Sequence, residues 1–380
     1  MSPRVLTPSE VHTGQLAALA GLDLMTVARL RLLLAHHDPA EALAVIGGRA
    51  RPGALVGEAL RGRVGHAWRQ GAARRDPMTW AERCARFGVR AVLPADDEFP
   101  SPLRVDLDPP AVLFVRGDLS AVRRRRVGIV GTRNATGAGR EMAVALGHGL
   151  ATAGVAVVSG LAKGIDGAAH RGALRAESAP PIAVVGNGPD CPYPRVNAEL
   201  WAAVVEHGVL MSEWPPGTAP EPFRFPLRNR LIAALSEVLV VVESRERGGS
   251  LITALAAAER GVDVMAVPGS PGQRSALGTN QLLRDGAAPV TEVADVLMAL
   301  GLDHRRADDT PYDPRPAPRG AEADVLERCR QQPCTLEAVV VDLGLPLSEA
   351  AMVVARLERS GWVRQAGGWF EAVGPWGALA

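Results

Sequence analysis

Gly131, Thr132 and Arg133, with Gly137 and Gly139 a few positions on, are the residues of this sequence best suited to holding an anion. Four apolar residues, 127–130, precede them and fit a short strand buried on both faces. An Ala/Leu-periodic segment follows from about Gly139 and reads as a helix. Strand, glycine loop and helix in that order aim free backbone N–H groups and a positive helix end at a phosphate. Glycine lets the backbone come close to the anion, and Arg133 adds a planar charged fork. Two familiar versions of such a loop do not apply. A dinucleotide fingerprint needs G-x-G-x-x-G and an acidic residue about twenty positions on. Here the spacing differs, and the next apolar run, 155–158, ends in Ser159 and Gly160. A P-loop needs a Lys that this loop lacks. The alternative to a phosphate cradle is a tight turn that binds nothing.

Other segments add chemistry. Residues 244–250 form a second glycine-rich loop, with Gly248, Gly249 and Ser250 opening a helix and Arg247 placed to point into it. Residues 268–280 make a third loop of this kind. Residues 216–230 hold Phe223 and Phe225 beside Arg224, Arg228 and Arg230, with Asn229 between the last two. Only 4 % of the chain is aromatic, so this cluster stands out. Bases stack on aromatic faces while guanidinium groups hold the backbone of a single strand. The competing reading buries both Phe in the core. Gly160 and Lys163 lead into a helix with Asp166 and, four residues on, His170. That pair fits acid–base or metal work, or else a capping Asp and a hydrogen-bonded His. The second reading is preferred, because no third ligand or nucleophile has suitable spacing. No catalytic residue, metal or cofactor is therefore assigned.

These loops need a scaffold that brings them to one edge. Apolar runs at 127–130, 155–158, 182–185, 209–211, 238–242 and 263–267 alternate with helical stretches, which predicts a doubly wound, mostly parallel α/β sheet. Ligands in such sheets bind outside the C-terminal strand ends, where small and polar residues collect here. The basic run 123–126 lies at the other end of the first strand, roughly 20 Å or more from Arg133, and reads as a solvated turn.

Residues 1–100 read as helical, including two short helices joined by a small-residue turn near Gly21, and 88–93 as a strand. Residues 94–110 make a join rich in Pro and Asp, and 303–320 a charged, Pro-rich linker. The tail, 321–380, shows three periodic helices and two strands around Gly367 and Gly368, a winged-helix pattern. Its would-be recognition helix is not clearly basic. The 380 residues carry a net charge of +1, so a polyanion site must be a local patch. Lys163 is the only lysine, which makes arginine count a weak signal. Four cysteines without C-x-x-C spacing read as reduced thiols of a cytoplasmic protein. No stretch reads as a membrane span or signal peptide.

The blocks GIVGTR at 128–133, SGLAKGID at 159–166 with His170, Tyr193-Pro with Asn197, Ser212-Glu213, FPLRNRLIAALS at 225–236, GSLIT at 249–253, VPG at 267–269 and GTN at 278–280 come in one order. Together they resemble the DNA-processing protein A (DprA/Smf) family of bacteria, over roughly 110–300. The resemblance implies an extended Rossmann-like domain at 101–302, flanked by a sterile-alpha-motif or helix-hairpin-helix-like domain at 1–100 and a winged-helix domain at 321–380. It implies a non-enzymatic protein that binds incoming single-stranded DNA in natural transformation and helps load the RecA recombinase, as a homodimer built through the Rossmann-like domain. By motif position, Arg133, Phe225 and Arg247 lie in the DNA pocket with Arg228 and Arg230 close by. The amides of 131–139 and 248–250 are expected to hold backbone phosphate.

Two other readings stay open. A nucleotide-processing enzyme of the lysine-decarboxylase-like, phosphoribohydrolase type uses a P-G-G-x-G-T loop and a downstream Glu. Here the loop lacks the Pro and the G-T, and Glu259 has no obvious Arg partner. A duplex-DNA regulator acting through the winged helix is the third.

Overall fold

A computed structural model describes residues 5–302, 315 and 318–373. The chain divides into two compact units, Met1–Asp303 and His304–Ala380.

The first unit opens with six helices: α1 (Pro8–Ala20), α2 (Val27–His36), α3 (Pro39–Ile46), α4 (Ala54–Ala59), α5 (Gly62–Arg74) and α6 (Pro77–Phe87). Their starts are written locally. Thr7, Thr26, Asp38 and Asp76 accept backbone N–H bonds as N-caps of α1, α2, α3 and α6. Gly88 ends α6 at a φ of 63°. Leu16, Leu19, Leu33, Ile46 and Trp68 form their common core.

A nine-stranded sheet follows: β1 (Arg90–Val92), β2 (Leu113–Gly117), β3 (Arg126–Val130), β4 (Ala156–Ser159), β5 (Ile182–Val184), β6 (Val209–Ser212), β7 (Val238–Val241), β8 (Asp263–Ala266) and β9 (Ala288–Pro289). Its order is β1-β2-β6-β5-β4-β3-β7-β8-β9. β6 through β9 run parallel, while β2 is antiparallel to both β1 and β6. The helices between strands are α7 (Ser101–Arg104), α8 (Gly137–Thr152), α9 (Ile165–Ala173), α10 (Ala198–His207), α11 (Arg224–Leu235), α12 (Gly249–Ala258), α13 (Leu277–Arg284) and α14 (Val293–Ala299). From β3 the chain builds outward to β6, then returns to β7 on the other side of β3. That reversal is the switch point where α/β sheets open a crevice.

The two-residue period of the strands sorts their side chains into two layers. Val127 and Ile129 pack with Val238, Val240, Leu146 and Leu150 on one face. Val130, Leu239 and Val241 pack with Leu231 and Leu235 on the other. Both faces are covered, so the strands read as continuous apolar runs. A Cβ on Gly128 would stand 2.4 Å from Ser236 Oγ, so only glycine lets the end of α11 approach β3.

One expectation changes here. The boundary at residue 100 is too late, because β1 lies before it and pairs with β2, and Val112 and Phe114 belong to the core of the helical segment. Helices and sheet share apolar surface, so they form one unit. The segment 216–230 is loop only to Phe223; from Arg224 it is helix α11. The basic run 123–126 is held in place: Arg126 donates to Leu235 O at 2.8 Å, and Arg125 to Glu237 at 2.5 Å.

The second unit packs three helices, α15 (Ala321–Gln331), α16 (Leu336–Leu343) and α17 (Leu347–Arg359), on a sheet of β10 (Cys334–Thr335), β11 (Val363–Ala366) and β12 (Trp369–Ala372) in the order β10-β12-β11. Val325, Val339, Val353, Leu357 and Phe370 form its core. Gly367 and Gly368 turn the hairpin with φ of 58° and 88°. Most of the expected linker lies outside the described residues. Among those described, no single helix is long and apolar enough to cross a membrane.

Candidate nucleic-acid interface

The C-terminal strand ends open into a cleft of two joined chambers, about 410 and 130 Å³. The larger is walled by Gly131, Thr132 and Arg133 after β3, by Asp166 on α9, by Phe225 and Asn229 on α11, and by 248–250 at the start of α12. The smaller adds Gly160, Lys163 and Asn187. Arg133, Tyr193, Phe225 and Arg228 line both. The Arg133 guanidinium lies over the Phe225 ring, 4.7 Å from its centroid. Tyr193 stacks on Phe225 at 5.6 Å and an interplanar angle of 24°. Arginine, phenylalanine and tyrosine thus form one ladder at the junction of the chambers, with Tyr193 39 % exposed.

Beside this ladder, α12 begins at Gly248 with no side-chain cap. A Cβ on Gly249 would meet nothing within 4 Å. The Ser250 hydroxyl donates to Ser244 Oγ at 2.9 Å, which donates to Arg245 O at 3.0 Å. These bonds fix the loop without covering the helix end. The positive end of α12 therefore faces the larger chamber.

The first glycine loop is different, because Glu243 closes it. Its carbonyl accepts the Thr132 N–H at 2.8 Å, and its carboxylate accepts the Thr136 N–H at 2.9 Å and hydroxyl at 2.6 Å. Ser275 adds a contact at 3.4 Å. Thr136 Oγ1 accepts the Gly139 N–H at 3.0 Å and caps α8, and the Asn134 N–H is held by Thr132 Oγ1. Among the amides of 131–139 expected to hold phosphate, that of Thr136 is taken by the protein's own carboxylate, that of Thr132 by the Glu243 carbonyl, and those of Asn134 and Gly139 by threonine hydroxyls. That corrects the phosphate seat at this loop, and it leaves Gly137 exposed and outside the cleft lining.

Arg228 also takes another role. It is 3 % exposed and donates to Gly160 O at 3.0 Å and to Val184 O, bolting α11 to the ends of β4 and β5. A Cβ on Gly160 would strike this guanidinium at 2.2 Å. Burial brings the Arg228 pKa down to about 10, against the opposing pull of Asp166. Asp166 is pushed up by burial, with Arg228 and Arg133 pulling it down. His170 is fully buried, and burial holds its pKa down to about 4 against the opposing pull of the Ser159 backbone. It is neutral and makes no pair with Asp166. Gly164, not Asp166, is the N-cap of α9. Among the described residues no three His, Cys, Asp or Glu are grouped as metal ligands.

Arg230 turns away from the cleft: it binds Glu213 at 2.6 Å and Asp108 at 3.2 Å. Burial raises Glu213 to about 7 even with that partner. Arg247 is exposed and outside the lining, where Arg245 stands instead. Gly131, Thr132, Arg133, Gly160, Lys163, Phe225, Arg228, Asn229, Gly248, Gly249 and Ser250 do meet in the cleft. Sequence reasoning missed Tyr193 and Arg245 as wall residues. The signal for Arg245 was its place directly after the strand-ending Ser244.

The fold and cleft define a Rossmann-like α/β protein with its binding edge at the strand tips. The profile of the DNA recombination-mediator protein A family matches residues 90–301, and the chain belongs to that family. It is 40 % identical to the DNA processing protein DprA of Bacillus subtilis over 56 % of this chain and 72 % of the relative. It is 38 % identical to a putative DNA processing protein DprA of Mycobacterium tuberculosis over 79 % and 82 %. The solved structure of DNA processing protein A from Streptococcus pneumoniae superposes with a TM-score of 0.64 at 31 % identity, over 77 % of this chain and 98 % of that one. The Helicobacter pylori protein, whose structure concerns its single-stranded DNA binding mode, gives 0.52 at 27 %, over 58 % and 98 %.

Proposed function

We propose that this protein grips single-stranded DNA in the cleft and performs no reaction on it. The observation that carries this reading is the Arg133–Phe225–Tyr193 ladder beside the uncapped start of α12. A base stacks on the ladder, Arg133 and Lys163 hold phosphate, and the α12 amides at Gly248, Gly249 and Ser250 hold the next. Such binding tolerates any sequence and weakens as salt rises. Arg247 flanks this path as an exposed outer charge rather than as a wall. The Helicobacter relative's single-strand binding mode supports the ligand class. Membership of the family supports the wider role: protecting incoming DNA in natural transformation, loading RecA in the cytoplasm, and working as a homodimer through the sheet domain. The second unit reads as a winged helix.

The composition of the walls supports a site that binds without reacting. Among the described residues Asp166 is the only carboxylate lining either chamber, and it lies in the field of Arg228 and Arg133. Glu259, the carboxylate of the hydrolase reading, is exposed just past the C-terminal end of α12, about 9 Å along the helix beyond Thr253, the last of its residues in the cleft lining. Arg133→Ala is expected to weaken binding of a labelled oligothymidylate about tenfold or more in an anisotropy titration. Unchanged affinity, a preference for duplex, or release of free base from a nucleoside monophosphate overturns the reading.

A further inference from the structure

Between Arg49 and Arg86 the chain carries nine arginines against Glu58, Asp76 and Glu82, an excess of six positive charges in a protein whose total is +1. The exposed face of α5 presents Arg63, Arg69 and Arg74, and α5 contains no acid. Where α5 meets α6, a cavity of about 660 Å³ is walled by Arg74, Arg75, Arg83 and Arg86 around the half-buried rings of Trp80 and Phe87. Arg75 lies over Trp80 at 5.6 Å, and Arg86 over Phe87 at 5.5 Å. This repeats the device of the cleft, a guanidinium stacked on an aromatic ring at the surface. Two of the four arginines are paired, Arg75 with Asp23 at 3.7 Å and Arg83 with Asp190, and of the two acids in the wall Asp76 is committed to the α6 N-terminus, accepting the Met78 and Thr79 N–H groups; Arg74 and Arg86 make no ion pair among the described residues and carry the groove's open charge.

The groove also connects to the cleft. Arg83 binds the fully buried Asp190 at 2.6 Å, and Asp190 Oδ1 accepts the Gly217 N–H at 2.6 Å. Asp190 begins the short loop that ends in Tyr193, the outer rung of the ladder. A chain leaving the cleft past Tyr193 therefore runs toward Arg83 and Arg86.

We propose that this helical groove is a second nucleic-acid contact, taking the phosphodiester backbone and one or two bases of a single strand that continues out of the cleft. The occupant is a polyanion with flat rings, because the groove offers both positive charge and stacking surface, as non-specific single-strand sites do. Long strands then gain contacts that short ones lack.

The test compares oligothymidylates of about 6 and roughly 40 nucleotides, one filling a single site and the other spanning several. The double variant R74E/R86E is expected to lose about tenfold in affinity for the long oligonucleotide at about 100 mM salt. Its slope of log Kobs on log salt should flatten by about 1.4, two phosphate contacts at about 0.7 each. The short oligonucleotide should bind as to wild type. R74Q/R86Q should give a smaller loss in the same direction, which covers any folding defect of the reversed charges. Wild-type affinity and slope for the long strand, or equal losses for both lengths, overturn the proposal. So does a polyglutamate peptide that competes as well as DNA of equal charge, since a protein acid segment would then be the occupant. The cleft reading fails separately, through Arg133→Ala on the short strand.

Discussion

Two glycine loops sit at helix starts on the same edge of the sheet, and they have opposite fates. The loop before α8 is closed: Thr132, Asn134, Thr136 and Gly139 have their N–H groups taken, two of them by Glu243. The loop before α12 is open, with no side-chain cap and room above Gly249. By composition the first was the stronger candidate. The residue that separates them is Glu243, which lies two positions past β7 on the way into the second loop but turns back to fill the first. It lies near the switch point between β3 and β7, where doubly wound sheets open their ligand crevice, and its carboxylate meets the Thr136 N–H and hydroxyl just before α8. The comparison teaches that a phosphate cradle is defined by what the rest of the chain leaves unsatisfied, more than by its glycines.

The largest expected effect comes from breaking the closed loop. Glu243→Ala leaves the Thr136 N–H and hydroxyl and the Ser275 hydroxyl without their buried partner. Charge-assisted hydrogen bonds of this kind are worth about 1.5–3 kcal/mol each, so a loss of about 3 kcal/mol in unfolding free energy is expected by urea titration. The vacated seat should then take a small anion. Added phosphate should raise the Tm of this variant well beyond any rise in wild type. A Tm shift equal in both proteins would mean that Glu243 was not standing in for an anion.

A second pair of substitutions sharpens the contrast. A Cβ on Gly139 would come within 2.4 Å of the Glu243 carboxyl carbon, whereas one on Gly249 meets open space. Gly139→Ala should cost about 2 kcal/mol of stability by forcing the buried clamp aside. Gly249→Ala should leave stability within about 0.5 kcal/mol of wild type or slightly above it, since alanine suits a helix better than glycine. Its added methyl group projects into the cleft mouth, so single-strand affinity should fall while the fold holds. Equal stability losses for the two would erase the distinction between closed and open loops.

How much of this was legible in the sequence follows from the range of the forces involved. The apolar runs of β3 to β8 announced the sheet, because a strand buried on both faces must be apolar throughout. The strand-tip residues announced the edge. The sorting of α11 was harder. Phe225, Arg228, Asn229 and Ile232 follow helical spacing and face the cleft, while Arg230 turns to Glu213 and Asp108. That split is visible only once 224–235 is known to be helical, and the prolines at 220, 222 and 226 hide its start. The turn of Glu243 into a loop more than a hundred residues earlier has no local signature at all.

The smallest expected effect concerns which arginine serves the open loop. Arg245 lines the larger chamber, and its carbonyl is fixed by Ser244 Oγ at 3.0 Å and by the Gly248 N–H at 3.0 Å. Arg247, two residues on, is exposed and outside the lining. Both guanidinium groups are exposed; the one in the cleft wall, on a loop whose carbonyl is fixed beside a positive helix end, meets a phosphate in the cleft directly and loses less freedom on binding. Arg245→Ala should therefore cost about 1 kcal/mol of single-strand affinity, roughly fivefold, and Arg247→Ala about half of that or less. Anisotropy titrations of the two variants on one short oligothymidylate decide the order. If Arg247→Ala is the costlier, the bound strand enters the open loop from its outer side, and the cleft wall at Arg245 is a boundary of the path instead of part of it.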